Sequence, residues 1–419
     1  MADVQPLRAL RYDLGRAGSL DSLTAPPYDV IDPAQRAALA ARSQYNVVEL
    51  DLPQGERPYE RAAELLEQWK RTGILVQERE AALWPLTEAY RLPDGSTAVR
   101  SGFLCRVRIS DYGPGLIRPH ERTHPAAKED RLKLTRATKA NLSPIFALYP
   151  DPDDAAWSAL EPATETPPLG EVTDQEGTTH RLWRVADHRA IERVQQALEG
   201  RELLIADGHH RYETARTYAE EIGGEGEHRY VLMCLVSLSD PGLTILPTHR
   251  LVGGLDERRR ERLERALERE FRVRSVELDE LAPGPNPNGS LPTYGYFEHQ
   301  SERALRLELV SAEPAERTLA GHCESYRRLD TAVLEKLVLE DALEMSEDDI
   351  SHQRGLGYAR DVDEALTLVR SGEYELAFLL RPTPVEQMKA VAEAGETMPP
   401  KSTYFYPKLP SGLLFNPLA

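Results

Sequence analysis

Cysteine is scarce in this chain. There are three in 419 residues, Cys105, Cys234 and Cys323, far apart and with no C-x-x-C pair. That excludes a disulfide scaffold and a thiolate zinc site. Cys105 (FLCRV) and Cys234 (VLMCLV) stand in apolar, strand-like runs and read as buried, inert thiols of a reducing cytoplasm. Long apolar runs are missing too: none approaches the roughly 18 residues of a membrane span. The start, MADVQPLRALRYD, has no apolar signal core, so the expectation is a cytoplasmic protein without membrane contact. Positive charge is in deficit, 51 Lys and Arg against 69 Asp and Glu, a formal charge of −18. This disfavours a broad nucleic-acid surface, whose affinity comes from neutralising phosphates. It leaves room for one small basic site that takes a single phosphorylated ligand. Among catalytic signatures, no G-x-G-x-x-G follows a strand and opens a helix, and no G-x-S-x-G elbow occurs. His180, His188, His228, His299, His322 and His352 form no spaced ligand set.

Hydrophobic residues nonetheless make up 41%, enough for packed cores. A single core rarely grows past about 250–300 residues, so several lobes are expected. The pattern predicts a multi-lobed, mixed α/β (α+β) fold. Residues 1–149 read as an α/β lobe that carries a basic segment at 118–139. Residues 150–171 read as an acidic, Pro-rich connection. A core at 172–255 holds a strand–turn–helix, and 256–419 is a C-terminal α/β lobe whose aromatic tail docks back on the body. Within the first lobe, Pro58 and Gly73 bracket a helix, and Asp94-Gly95 marks a hairpin.

The sharpest local pattern is ELLIADGHHRYETARTYAE. An apolar strand ends at Asp207-Gly208 and a helix begins at once. Gly208 permits a tight turn, and the helix N-terminus offers free N–H groups and a positive dipole end. His209, His210 and Arg211 add donors there, and Arg211 is able to grip a phosphate in bidentate fashion. Thr214, Ala215 and Tyr218 continue at helical spacing on the inner face. The plainer alternative is a polar helix cap, with Asp207 capping and the histidines on the surface.

Residues 118–139 carry seven Lys and Arg against three acids. If 126–140 is helical, Lys128, Arg131, Arg136 and Lys139 share one face, which suggests a focused anion site rather than an ordinary charged surface. The same stretch contains His120-Glu121-Arg122-Thr123-His124, a formal H-E-x-x-H. Pro119 and Pro125 flank it, and a residue before proline avoids the helical region, so a zinc-protease helix is rejected. His120 and Glu121 remain candidates as loop-borne site residues. Thr248, His249 and Arg250 sit at a strand end; Lys401, Ser402 and Thr403 form a tail segment; and Asp29 offers a carboxylate in a Pro-rich loop. Each of these also has a purely structural explanation.

Taken together, PPYDVI, HERTHPAAKEDRL, RATKANLSPIFALY, IADGHHRYETA, LPTHR, LLRPTPVEQ and MPPKSTYFYPKLPSGL resemble domain-of-unknown-function family 1015 of bacterial proteins. The resemblance makes Asn141 and Ser143, with Thr248, His249, Lys401 and Asp29, secondary substrate positions. IADGHHR is in turn similar to the strand–turn–helix core of the ParB-like/sulfiredoxin-like superfamily, which includes free-serine kinases and CTP-binding partition proteins. That similarity implies phosphate contacts at Gly208, His209, His210 and Arg211. Sulfiredoxin chemistry needs a cysteine in the turn, and this turn has none.

The resulting expectation is a nucleotide-dependent phosphotransferase acting on a small hydroxyl-bearing metabolite such as a free amino acid. ATP, ADP or CTP would be the donor, with Mg²⁺ held through Asp207 or Glu121. His120, Lys128 and Arg131 would join the phosphate site. Glu121, Asp207, His209 and His210 would carry the proton chemistry, with Asp29 as a further candidate base. The alternatives are a nucleotide-binding switch without transfer and a metal-dependent phosphoester hydrolase or nuclease. A homodimer is left open.

Overall fold

The structure is a computed structural model. It describes residues 2–121, 125–285 and 290–419, with the side chains of 125–128 outside the description. The chain divides into two compact units. One comprises Met1–Pro119, Thr123–Leu243 and Pro407–Ala419; the other comprises His120–Arg122 and Thr244–Tyr406. Helices and sheets are intermixed in both, so the fold is mixed α+β.

The first unit is built on a nine-stranded sheet. Its strands are β1 (Val4–Gln5), β2 (Trp84–Arg91), β3 (Thr97–Arg108), β4 (Ile117–Arg118), β5 (Ile145–Tyr149), β6 (Gly170–Thr173), β7 (Thr179–Leu182), β8 (Leu203–Asp207) and β9 (Tyr230–Ser237). They lie in the order β4-β8-β5-β9-β3-β2-β7-β6, with β1 paired to β3. Only β8 with β4 and β9 with β5 run parallel. The β2–β3 hairpin turns at the predicted Asp94-Gly95, where Gly95 takes a positive φ of 84°. At Gly102 a Cβ would come within 2.6 Å of the Leu235 carbonyl oxygen, so glycine is what lets β3 and β9 pair there.

Helices complete this unit. They include α1 (Val48–Asp51), α2 (Pro58–Arg71), α3 (Pro125–Thr138), α4 (His188–Leu198) and α5 (His209–Ile222). Pro58 starts α2, and Ala62, Leu66 and Trp69 recur on its buried face. Ile191, Val194 and Leu198 of α4, and Tyr212 and Ala215 of α5, pack on Phe103, Ile145, Ile205, Met233 and Leu235 of the sheet. Each fully buried side chain of this kind contributes about 1.5–3 kcal/mol. A second core gathers Tyr12, Leu39, Leu66, Trp69, Leu134 and Phe415. Phe415 belongs to the C-terminal segment and meets the Tyr12 ring edge-on, with centroids 5.7 Å apart.

An ionic chain is buried in the same sheet. Arg100 pairs with Glu88 at 2.6 Å, Glu88 with His180 Nδ1 at 3.1 Å, and His180 Nε2 with Asp174 at 3.0 Å. Burial alone would lower the His180 pKa, but the Asp174 and Glu88 carboxylates outweigh it and raise it to about 9.

The second unit holds a six-stranded antiparallel sheet. Leu251, Phe297, Ala377 and Leu379 pack there with Ala365 and Val369 of the helix Val362–Arg370. The stretch LTILPTHRLV reads as one strand by hydrophobicity but forms two, Thr244–Leu246 and His249–Val252. Pro247 between them has no N–H for a ladder. Thr244–Leu246 pairs with the tail strand Tyr404–Tyr406, so the aromatic tail is part of a sheet. No helix among the described residues is long and apolar enough to cross a membrane.

Candidate functional site

The strand–turn–helix predicted around IADGHHR is present. β8 ends at Asp207, and Gly208 bridges to α5 with φ +93°. A side chain at Gly208 would be strained by that φ, and its Cβ would stand 2.9 Å from Arg211 Nε. Gly208 occupies the cap position and has no side chain with which to cap the helix. Asp207 does not cap it either. Its Oδ2 accepts from Arg211 Nη2 at 2.5 Å, and its Oδ1 accepts from Lys408 Nζ at 2.7 Å. Arg211 Nη1 also donates to the Pro144 carbonyl. Burial would raise the Asp207 carboxyl, but the Lys408 ammonium and Arg211 guanidinium outweigh it and hold it well below the usual range. Asp207 is therefore an ionised anchor for two cations, and a poor general base. His209 is buried and His210 half-buried at the start of α5.

Behind this turn the inner face of α5 meets α3. Arg131 of α3 donates to Asp51 Oδ1 at 3.0 Å and to Asp130 Oδ2 at 2.6 Å, and its guanidinium lies 4.2 Å from the centre of the Tyr28 ring. Burial pushes the Tyr28 phenol up to about 12. Asp29, exposed in the adjoining turn, adds its charge to the fields at Tyr28, Asp51 and Arg211. Asp51 itself is 5% exposed, and burial lifts its carboxyl above the ordinary range while Arg131 and Arg211 pull it back. Asn141 and Ser143 line a small cavity together with Asp51, Arg131 and Arg211. The Asn141 side-chain oxygen is committed, however: it accepts from Leu232 N and from Asn416 Nδ2. Asn141 thus ties the C-terminal segment to β9.

The basic segment does not form the exposed anion face that its count suggests. Arg118 pairs with Glu202, Lys133 with Glu129 and Arg136 with Glu221, at 2.5–2.7 Å. Arg131 points inward to Asp51. Lys139 lies past the helix end with φ +49° and so leaves the shared face. The excess charge is met by carboxylates distant in sequence, which a local count misses. The Lys128 side chain, and Arg122, Thr123 and His124 of the H-E-x-x-H run, lie outside the described residues. The helix starts at Pro125, after both histidines of that run.

His120 and Glu121 belong to the second unit together with the tail. His120 Nε2 is 2.8 Å from Thr403 Oγ1, and the His120 carbonyl accepts from Met398 N. Glu121 Oε1 accepts from Lys401 N at 2.9 Å. Arg250 donates to the carbonyls of Thr248, Pro400 and Lys401. His249 Nδ1 accepts from Leu380 N, and burial lowers its pKa to about 4, so the ring is neutral. These groups clamp the Met-Pro-Pro-Lys-Ser-Thr turn. The tail lysine that reaches the Asp207 turn is Lys408 of the first unit, and Lys401 is the one fixed by its backbone in the second.

A Mg²⁺ ligand role does not fit Asp207, since both oxygens already face a cation. Among the described residues no three His, Cys, Asp or Glu groups stand where they would hold a metal. The sequence reading missed Asp51 and Lys408. Asp51 ends the apolar run NVVELD, and Lys408 lies among tail prolines, so neither carries a local signal.

No curated protein matches the chain. Solved structures superpose only loosely. A conserved hypothetical protein from Pyrococcus furiosus has 15% identity, covering 71% of this chain and 90% of its own, with a TM-score of 0.36. A free serine kinase in complex with AMP has 14% identity, covering 72% and 88%, with a TM-score of 0.37. SbnI from Staphylococcus aureus, truncated at its C-terminus, has 12% identity, covering 71% and 82%, with a TM-score of 0.35. Superposition at this level transfers no activity. The family is shown by a family model that matches residues 4–332: the chain belongs to the family described as Protein of unknown function (DUF1015).

Proposed function

We propose that the chain is a nucleotide-dependent phosphotransferase whose acceptor is a small hydroxyl-bearing metabolite. One observation carries the reading. Arg211 and Lys408 converge on Asp207 in front of a helix N-terminus whose cap is glycine. Phosphoryl transfer is mostly positioning and charge neutralisation, and this turn supplies both. Asp207 keeps the two cations extended at the turn. The two cations, with the first-turn amides of α5, form a cradle for the phosphates of ATP, ADP or CTP. His209 and His210 flank the cradle. Metal, where the nucleotide brings it, would be held chiefly by the phosphates.

The turn's likeness to the ParB-like strand–turn–helix supports the same placement. The acceptor oxygen would form the new bond to the terminal phosphorus as the bond to the bridging oxygen breaks. The nucleotide would keep that electron pair, and the acceptor proton would pass to a base. Incubation with ATP or ADP and a pool of small alcohols, followed by phosphorus-31 spectroscopy, tests the reading. A new phosphomonoester signal is expected. Saturable nucleotide binding with no transfer from any donor would replace it by a binding switch, and release of inorganic phosphate alone would replace it by a hydrolase.

A further inference from the structure

Between α3 and α5 lies a cavity of about 40 Å³. Asp51, Arg131, Asn141, Ser143, Arg211 and Thr214 supply polar groups around it. A water-sized group needs on the order of 10–15 Å³ measured this way, so the cavity admits two or three. Two buried atoms on its wall, Arg211 Nε and Thr214 Oγ1, have no hydrogen-bond partner among the described residues. Thr214 is 4% exposed. Other threonines of these helices, Thr135, Thr138 and Thr217, give their hydroxyls to the carbonyl four residues back. Thr214 does not, although a buried hydroxyl without a partner is costly. Its hydroxyl is left for something that enters the cavity.

We propose that this cavity is the acceptor pocket, that it takes the hydroxyl-bearing end of a two- or three-carbon primary alcohol, and that Asp51 takes the proton of that hydroxyl. The proposal rests on the phosphotransferase reading above. The other carboxylates considered for the role are otherwise engaged: Asp207 is bound to two cations, and Glu121 accepts from Lys401 N. Asp29 is exposed and does not line the cavity. Asp51 does line it. Its Oδ1 takes Arg131, while its Oδ2 has, among the described residues, only a long 3.4 Å contact with Ser411 Oγ. A carboxylate accepts about four hydrogen bonds, so Oδ2 retains room for an alcohol O–H. Arg131 from α3, Arg211 from α5, Asp29 from the neighbouring turn and Ser411 from the C-terminal segment are the groups that act on Asp51. Their net effect, with burial, leaves it a stronger proton acceptor than a solvated aspartate. In the transfer, the hydroxyl proton moves to Asp51 Oδ2 and the alcohol oxygen bonds the terminal phosphorus. The bond from that phosphorus to the bridging oxygen breaks, and its electron pair stays on the departing nucleotide.

The test uses ethylene glycol, ethanolamine and glycolate as probes, with ADP present. Ligand-observed NMR is expected to show at least one of them binding the wild-type protein. Thr214→Met, which fills the cavity, should weaken that binding at least 10-fold and leave nucleotide affinity within twofold. Asp51→Asn should retain alcohol binding, lose transfer at least 100-fold and abolish the acid limb of the kcat–pH profile. In the wild type that limb should lie above the ordinary aspartate value of about 4. Absence of binding by all three probes, or binding untouched by Thr214→Met, would overturn the pocket. Wild-type transfer and an unchanged acid limb in Asp51→Asn would overturn the role of Asp51. Alcohol binding blocked by Thr214→Met with no transfer in the wild type would uphold the pocket and overturn both the phosphotransferase reading and the base.

Discussion

Lys408 and Asp207 are 201 residues apart in sequence and 2.7 Å apart in the fold. The contact brings the C-terminal segment to the Asp207-Gly208 turn. Ser411 and Asn416 of the same segment reach Asp51 and Asn141. Removing residues 407–419 should therefore remove Lys408 from the turn and Phe415 from its core together. The expected outcome is a cooperative loss of stability, read by denaturant titration. Lys408→Met keeps the aliphatic packing but removes the ammonium and its hydrogen bond to Asp207, so a lower denaturation midpoint in an intact fold is expected.

Gly208→Ala tests the backbone of the turn. At φ +93° an L-residue costs about 1–2 kcal/mol, and the added methyl presses on Arg211. Both the denaturation midpoint and nucleotide affinity should fall. An unchanged midpoint would show that the turn relaxes freely.

Arg211 is half of a buried ion pair, so Arg211→Ala leaves Asp207 with Lys408 alone and should cost stability as well as binding. Arg211→Lys is the cleaner variant. It keeps the charge and loses the fork that spans Asp207 and the Pro144 carbonyl. Nucleotide affinity should drop about 10-fold, corresponding to about 1.4 kcal/mol. Calorimetric titration reads it.

His180 makes stability pH-dependent in a defined window. Its folded pKa of about 9 lies above the ordinary histidine value of 6.5, so the protonated ring favours the folded state. The contribution is complete below about pH 6.5 and is lost as pH rises through 9. Its full size is on the order of a few kcal/mol. His180→Gln should flatten the stability curve between these values. A wild-type curve of the same shape as the variant's would rule the linkage out.

His249 shifts the opposite way. With a folded pKa of about 4, it should show no protonation by NMR between pH 5.5 and 8. Protonation near pH 6.5 would mean that the ring is solvated and not held by Leu380 N.

The strand–turn–helix at Asp207-Gly208 was legible because its signal is local: an apolar strand, a glycine and three polar residues in succession. The helix at 58–71 and the hairpin at Asp94-Gly95 were legible for the same reason. The remainder of the site was not, because its residues come from segments with no pattern in common. Asp51 closes an apolar run, Lys408 sits between prolines, and only the fold makes them neighbours of Asp207 and Arg131. The basic count at 118–139 misled in a complementary way. Its charges are answered by Asp51, Glu202 and Glu221, which a window of sequence cannot contain. Lys401 and Lys408 are seven residues apart in one motif, yet they fall in different units because the strand Tyr404–Tyr406 separates them.

Under the proposed function, Arg211 and Lys408, anchored by Asp207, hold nucleotide phosphates. Titration calorimetry of ADP into the wild type, Arg211→Lys and Lys408→Met, at one salt concentration, tests it most directly. Saturable binding to the wild type and a loss of about 10-fold or more in each variant are expected, with the fold intact by circular dichroism. Equal affinity in all three proteins, or no binding to the wild type, would contradict it.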